Sequence, residues 1–412
     1  MSTPFNVQQA AVIGAGTMGR GIVISLASAG IPVLWLDSNP QMVEVGLKTA
    51  EETWAYQVTK DRISSAEASQ NLARIRSVDS YAALADADLV IEAVYENLEL
   101  KQAIFKAVDK TLKPGAILAS NTSALDIDAI AAVTSRPEQV LGLHFFSPAH
   151  VMKLLEIVRG EKTAAPVLEA ALAFGRSIGK VAVVSGNCRG FIGNRMLANY
   201  VAEARKMLLE GAIPKQVDDA LQKFGFAMGP FRMYDVVGLD LEWRARELAG
   251  RGMNDPLVQI DNELCELGRF GQKSRMGYYR YAEGSRQAEH DPEVDALVLN
   301  VSRGLGFYRR EISDEEIVER CLLALVNEGA KILEENIAGS SHDIDRVYLN
   351  GYGFPEVTGG PMRWADKQGV RQMRIRLERL QGIFGDHWRP ASLIQRLVNA
   401  DKRFADVKEG RV

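Results

Sequence analysis

A four-residue apolar run, Ala10-Ala11-Val12-Ile13, passes directly into Gly14-Ala15-Gly16-Thr17-Met18-Gly19. The residues from Arg20 to Ala29 then read as a helix. A G-x-G-x-x-G motif between a strand and a helix commits the chain to a βαβ start that can bind a dinucleotide. Gly14 allows the tight turn, Gly16 lets backbone approach a pyrophosphate, and Gly19 lets the helix pack on the strand. The turn through Thr17 and Met18 offers free N–H groups and the positive end of a helix dipole to phosphates. A second strand, Val33-Leu34-Trp35-Leu36, ends at Asp37, 18 residues past Gly19. That is near the spacing of the carboxylate that holds an adenosine ribose. Ser38, Asn39 and Pro40 follow with no arginine among them, and an anionic Asp37 would repel a 2′-phosphate. NAD is therefore expected rather than NADP. The competing reading, a glycine turn in a ligand-free fold, is weakened by the second strand and its terminal acid.

Residues 41–80 read as two helices, the second opened by a Ser64-x-x-Glu67 capping box. Lys48, Lys60 and Arg62 in this stretch fit a solvated face better than a substrate contact. Leu89-Val90-Ile91-Glu92-Ala93 resumes the sheet, and Ile117-Leu118-Ala119 leads into Ser120-Asn121-Thr122-Ser123. Hydroxyls and an amide at the carboxyl end of a parallel strand face the crevice where such folds bind ligands. Ser123 could equally cap the next helix. Two apolar runs follow, Leu141–Phe146 and Met152–Val158, joined by a link too short for a helical crossover. They should be antiparallel neighbours. His144 and Glu156 lie equally far on either side of His150, so a hairpin folded there sets them opposite each other. An imidazole beside a carboxylate is a general acid–base unit. The alternative is a histidine satisfied at a strand end and a glutamate facing solvent. A helix at 165–177 and a strand Val181–Val184 complete the sheet near Gly186.

After Gly186–Arg189 the text becomes helical, with Leu197, Val201, Ala204 and Leu208 at helix spacing. An internal repeat is visible there. Glu203 matches Glu328, Val217-Asp218 matches Ile344-Asp345, and Gly225-Phe226 matches Gly353-Phe354. Gly229-Pro230 matches Gly360-Pro361, and Asp235 with Gly238 matches Asp366 with Gly369. A period this long indicates a duplicated domain. The expected architecture is an α/β Rossmann-type domain at 1–186 followed by two duplicated all-α domains, at 187–298 and 299–412.

Composition narrows the function classes. A net charge of −4 argues against a nucleic-acid surface. No apolar run approaches ~18 residues, so no membrane span is expected. Cys188, Cys265 and Cys321 are few and far apart, which fits a reduced compartment. The short stretch before the first strand reads as too short for a leader, and the terminal Gly410-Arg411-Val412 is not expected to act as a peroxisomal address. Cytoplasm is the expected location. The histidines His144, His150, His290, His342 and His387 have no metal-site spacing, so no metal is expected.

Gly14–Gly19, Ser120–Ser123, Gly142-Leu143-His144-Phe145-Phe146, Met152-Lys153 to Glu156, and Gly190-Phe191-Ile192-Gly193-Asn194-Arg195 stand in one order. In that order, and over nearly the whole chain, the sequence resembles the L-3-hydroxyacyl-CoA dehydrogenases. One departure is Ser147, where the family usually has asparagine. The resemblance implies reversible NAD-dependent oxidation of an L-3-hydroxyacyl-CoA to the 3-oxoacyl-CoA, of the fatty-acid β-oxidation type. It makes His144 the base, Glu156 its partner, and Ser123 and Asn194 contacts to the reacting oxygen. It places Glu92, Lys101 and Asn121 beside the cofactor. Asn194 could instead be a helix cap. The second copy has no asparagine at the corresponding place, near Glu319-Arg320, and is expected to be structural. Shorter relatives pair through their single helical domain. The second copy would supply that surface in cis, giving a monomer or a homodimer. No appended hydratase domain is expected, which would make this a stand-alone enzyme. Alternatives are a same-fold dehydrogenase acting on a non-CoA 3-hydroxy acid, and an NAD-binding protein without activity.

Overall fold

Eight strands form one sheet in the order β3-β2-β1-β4-β5-β6-β7-β8 in the computed structural model, which describes residues 7–250, 252–408 and 410–411. The strands are β1 Ala10–Ile13, β2 Val33–Leu36, β3 Ile75–Ser77 and β4 Leu89–Glu92. They continue with β5 Ile117–Ser120, β6 Val140–Phe145, β7 Leu154–Arg159 and β8 Val181–Gly186. Neighbours are parallel except β6 and β7, which are antiparallel. β1, β2, β4 and β5 are buried at every residue, as expected of parallel strands covered on both faces. Successive side chains alternate between two cores. Ala10, Val12, Val33 and Trp35 enter one, while Ala11, Ile13, Leu34 and Leu36 enter the other.

The chain runs outward from β1 to β2 and β3, then restarts at β4 on the opposite side of β1. Ligands bind in such sheets at this switch point, outside the carboxyl ends of the strands. The excursion between β2 and β4 contains helices Pro40–Thr59 and Ser65–Ala73. Ser64 caps the second of these, accepting from Glu67 N at 3.1 Å. The short edge strand β3 carries only one apolar residue, Ile75, and was not legible beforehand.

Two compact units emerge from the packing. One runs to Arg195 and takes in Ile332–Tyr352 and Val407–Arg411; the other comprises Met196–Lys331 and Gly353–Asp406. In the first unit, helix Ser341–Gly351 packs on the sheet. Arg346 donates to Ala182 O of β8 at 3.0 Å, and Gly351 lies so close to Leu154 of β7 that a Cβ would collide with it.

Beyond the sheet the chain is helical. Helices Gly193–Glu210, Pro214–Phe224 and Pro230–Val237 are followed later by Asp314–Glu334, Ser341–Gly351 and Pro361–Gln368, a similar order of lengths. Arg320, near the place matched to Asn194, is fully buried and pairs with Glu203 at 2.8 Å and Glu210 at 2.5 Å. Among the described residues no helix is long and apolar enough to cross a membrane, and no cluster of metal-ligating side chains occurs. Val412, the end of the C-terminal triplet, lies outside the described residues.

Candidate active site

The hairpin forms in the anticipated register: His144 on β6 faces Glu156 on β7. Their side chains meet, Nδ1 of His144 lying 2.8 Å from Oε2 of Glu156, with both residues buried. The other carboxylate oxygen accepts from the main-chain N–H groups of Ile192 at 3.2 Å and Gly193 at 3.0 Å. These belong to the start of helix Gly193–Glu210, where N–H groups have no partner within the helix. A carboxylate only accepts, so the proton between the pair sits on Nδ1 and the lone pair is left on Nε2. The imidazole is wedged by Phe146, with ring centroids 4.3 Å apart, and by Phe191 at 5.6 Å.

Lys180 clasps the hairpin loop. Its Nζ donates to Ala149 O at 2.6 Å and Met152 O at 2.7 Å. Burial of the ammonium pulls its pKa down to about 8.

The end of β5 reaches the same place. Asn121 Oδ1 accepts from Phe145 N at 2.9 Å, tying β5 to the residue after His144. Glu92 and Lys101 form a buried ion pair at 2.7 Å, and Glu92 also accepts from Ser120 Oγ and Val94 N, each at 2.7 Å. The polar atoms of Glu92 and Lys101 thus face protein partners. Glu96 holds the next turn, accepting from Thr122 Oγ1 at 2.6 Å, Ser123 N at 2.9 Å and Ser123 Oγ at 3.3 Å. Asn194, in the first turn of its helix, points Nδ2 toward Ser123 O at 3.5 Å and accepts the Tyr352 hydroxyl on Oδ1 at 2.8 Å.

The glycine loop fits a dinucleotide. Gly14 has φ +112°, and a Cβ there would lie 2.6 Å from Ala93 O. Gly16 has open space where a Cβ would go, and no side chain caps the helix Thr17–Ser28 that starts after it. Thr17 and Met18 form the first turn, and Gly19 packs so tightly on Gly14 that any side chain would collide. Asp37 lies at the end of β2, where Oδ2 accepts from Ala15 N at 2.6 Å and Oδ1 from Asn39 N at 2.8 Å. A carboxylate has about four acceptor positions. Capacity for a ribose hydroxyl remains.

The structure therefore brings His144, Glu156, Asn194 and Ser123 into one connected network. Thr122, part of the strand-end motif, also supports it, as do Glu96 and Lys180, to which the sequence assigns no role. The sequence alone assigns the second copy no part here, yet two of its tyrosines, Tyr348 and Tyr352, reach the site.

Residues 9–188 match the 3-hydroxyacyl-CoA dehydrogenase NAD binding domain, and residues 190–281 and 317–410 match the C-terminal domain of the same family. The chain is 44% identical over 413 residues to a peroxisomal bifunctional enzyme of Danio rerio, covering 96% of this chain and 57% of that protein. It is 34% identical over 403 residues to a fatty acid oxidation complex subunit alpha of Pseudomonas putida, covering 97% and 56%. It thus spans a little over half the length of these curated relatives. A solved 3-hydroxybutyryl-CoA dehydrogenase from Escherichia coli superposes with a TM-score of 0.82 at 29% identity, covering 96% of this chain and 99% of that one. On these matches the chain belongs to the 3-hydroxyacyl-CoA dehydrogenase family, with that family's NAD-binding domain at its N-terminal end.

Proposed function

We propose that this chain catalyses the reversible NAD-dependent oxidation of an L-3-hydroxyacyl-CoA to the 3-oxoacyl-CoA. The observation that carries the reading is the buried His144–Glu156 pair at 2.8 Å inside a domain of this family. His144 Nε2 takes the proton of the substrate's 3-hydroxyl. Glu156 holds the ring with Nε2 outward and stabilises the imidazolium that forms, as the acid does in a catalytic triad. Asn194 donates to the reacting oxygen and fixes its position, and Ser123 adds a second donor once its hydroxyl turns from Glu96 to the substrate. The chemistry that bound NAD would supply is acceptance of the hydride from C3. Gly14, Gly16, Thr17, Met18 and Gly19 would hold its pyrophosphate, and Asp37 its adenosine ribose. Glu92, Lys101 and Asn121 would shape the nicotinamide side through the backbone they brace.

Supporting the three-segment division at 186 and 298 are the two matches to one C-terminal domain, at 190–281 and 317–410. A cytoplasmic location and a monomeric or homodimeric state belong to the same proposal. The test is NADH formation with 3-hydroxyacyl-CoA substrates from C4 upward, against the free 3-hydroxy acids and against NADP. Turnover of the thioesters with NAD is expected. His144→Gln should lower kcat by ~10²–10⁴-fold, the usual worth of general base catalysis. Turnover of free acids alone would overturn the substrate assignment.

A further inference from the structure

The two amide atoms of Asn194 face different partners. One lies 3.5 Å from Ser123 O and the other 2.8 Å from the Tyr352 hydroxyl. A main-chain carbonyl can only accept, so the atom on the Ser123 side is the nitrogen. Oδ1 therefore faces the phenol, which must be the donor. Burial, with the charge of Glu156 and the neighbouring Tyr348, holds the Tyr352 hydroxyl well above the usual phenol range. It keeps its proton throughout the working pH range.

The ring is fixed as firmly as the hydroxyl. Tyr348 stacks on it with centroids 4.9 Å apart and planes at 22°, and Phe146 meets it edge-on at 5.6 Å and 76°. The Tyr348 hydroxyl donates to Gly193 O at 3.2 Å. Gly193 leaves the room this requires, since a Cβ there would collide with the Tyr352 ring and hydroxyl. The tyrosine pair thus abuts the same turn whose N–H groups hold Glu156.

We propose that Tyr352 is a positioning residue for the reaction: its hydroxyl locks the Asn194 amide with the NH₂ turned toward the reacting oxygen of the acyl substrate. The proposal rests on the reading of Asn194 as a substrate contact. Without the phenol, only the long 3.5 Å contact to Ser123 O orients the amide, and a flip would present its carbonyl oxygen, an acceptor, to an oxygen that gains negative charge in the transition state. The second helical copy then contributes to the chemistry through a side chain the first copy lacks.

The experiment is a double-mutant cycle on the full chain, using Tyr352→Phe, Asn194→Ala and the pair, with kcat and both KM values measured. Tyr352→Phe should lower kcat by about threefold to tenfold, the range for one hydrogen bond, with the KM for NAD unchanged. In the Asn194→Ala background the same change should have less than a twofold effect. A Tyr352→Phe enzyme with wild-type kcat would overturn the proposal. So would an equal loss in both backgrounds, because a merely structural tyrosine acts independently of Asn194. If the wild-type chain oxidises no 3-hydroxyacyl-CoA at all, the functional reading fails first, and the role of Tyr352 with it.

Discussion

Replacing Glu156 with glutamine changes one oxygen to an NH₂ and should disable the base without unfolding the protein. The native carboxylate serves three donors: His144 Nδ1 at 2.8 Å, Ile192 N at 3.2 Å and Gly193 N at 3.0 Å. A glutamine has one accepting atom. If that oxygen turns to His144, two buried main-chain N–H groups face an NH₂ and lose their bonds, at ~1–3 kcal/mol each. The amide therefore keeps its oxygen on the helix start and points its NH₂ at Nδ1. Nδ1 must then accept, and the imidazole proton moves to Nε2. A base with its proton already in place cannot take another. The wrong tautomer costs ~10⁴ in kcat in a comparable His–carboxylate pair, equivalent to about 5.5 kcal/mol of barrier.

The expected result for Glu156→Gln is a loss of ~10³–10⁴-fold in kcat, followed by NADH absorbance under saturating substrate, with NAD affinity within twofold of wild type. Glu156→Ala should be less impaired in kcat than the glutamine variant, because it leaves the tautomer free. It should also be less stable, since it strands two N–H groups. A glutamine variant within tenfold of wild type would refute the tautomer argument, and an alanine variant slower than glutamine would count against it.

Two further outcomes are expected. Gly16→Ala should leave the thermal midpoint unchanged, because the added Cβ meets nothing within 4 Å, yet raise the NAD dissociation constant tenfold or more in isothermal titration; unaltered affinity would place the pyrophosphate elsewhere. Lys180 titrates at about 8 in the folded chain against 10.5 unfolded. Between those values only the unfolded chain holds the proton, so this group's contribution to stability is lowest below about pH 8 and rises toward 10.5. Lys180→Met should flatten that part of the curve in urea unfolding from pH 7 to 10, and superimposable wild-type and variant curves would rule the account out.

Local chemistry made much of the site legible in the sequence. Gly14, Gly16 and Gly19 are picked out by their spacing for the roles proposed above, and Asp37 by its distance from them. The His144–Glu156 pairing was legible from symmetry about His150, which lies near the middle of the loop between β6 and β7. Contacts across long stretches of chain left no such trace. Tyr352 and Asn194 are 158 positions apart, and nothing near Tyr352 in the sequence separates it from a core aromatic. The polar atoms of Glu92 and Lys101 bond to each other and to the strand ends, partners that their spacing does not announce. A chain of buried bonds of this kind depends on which side chains face inward, and spacing does not encode that.

The path of the polypeptide bears on its synthesis. The sheet unit is left at Arg195, resumed at Ile332 and resumed again at Val407. Its nascent form consequently lacks Tyr348 and Tyr352 until the whole intervening helical stretch has left the ribosome. At ~5–20 residues per second that interval is on the order of ten to thirty seconds. For that time a folded glycine loop and hairpin could coexist with an Asn194 still awaiting its phenol. Nucleotide-binding competence should therefore precede full catalytic competence as the chain emerges.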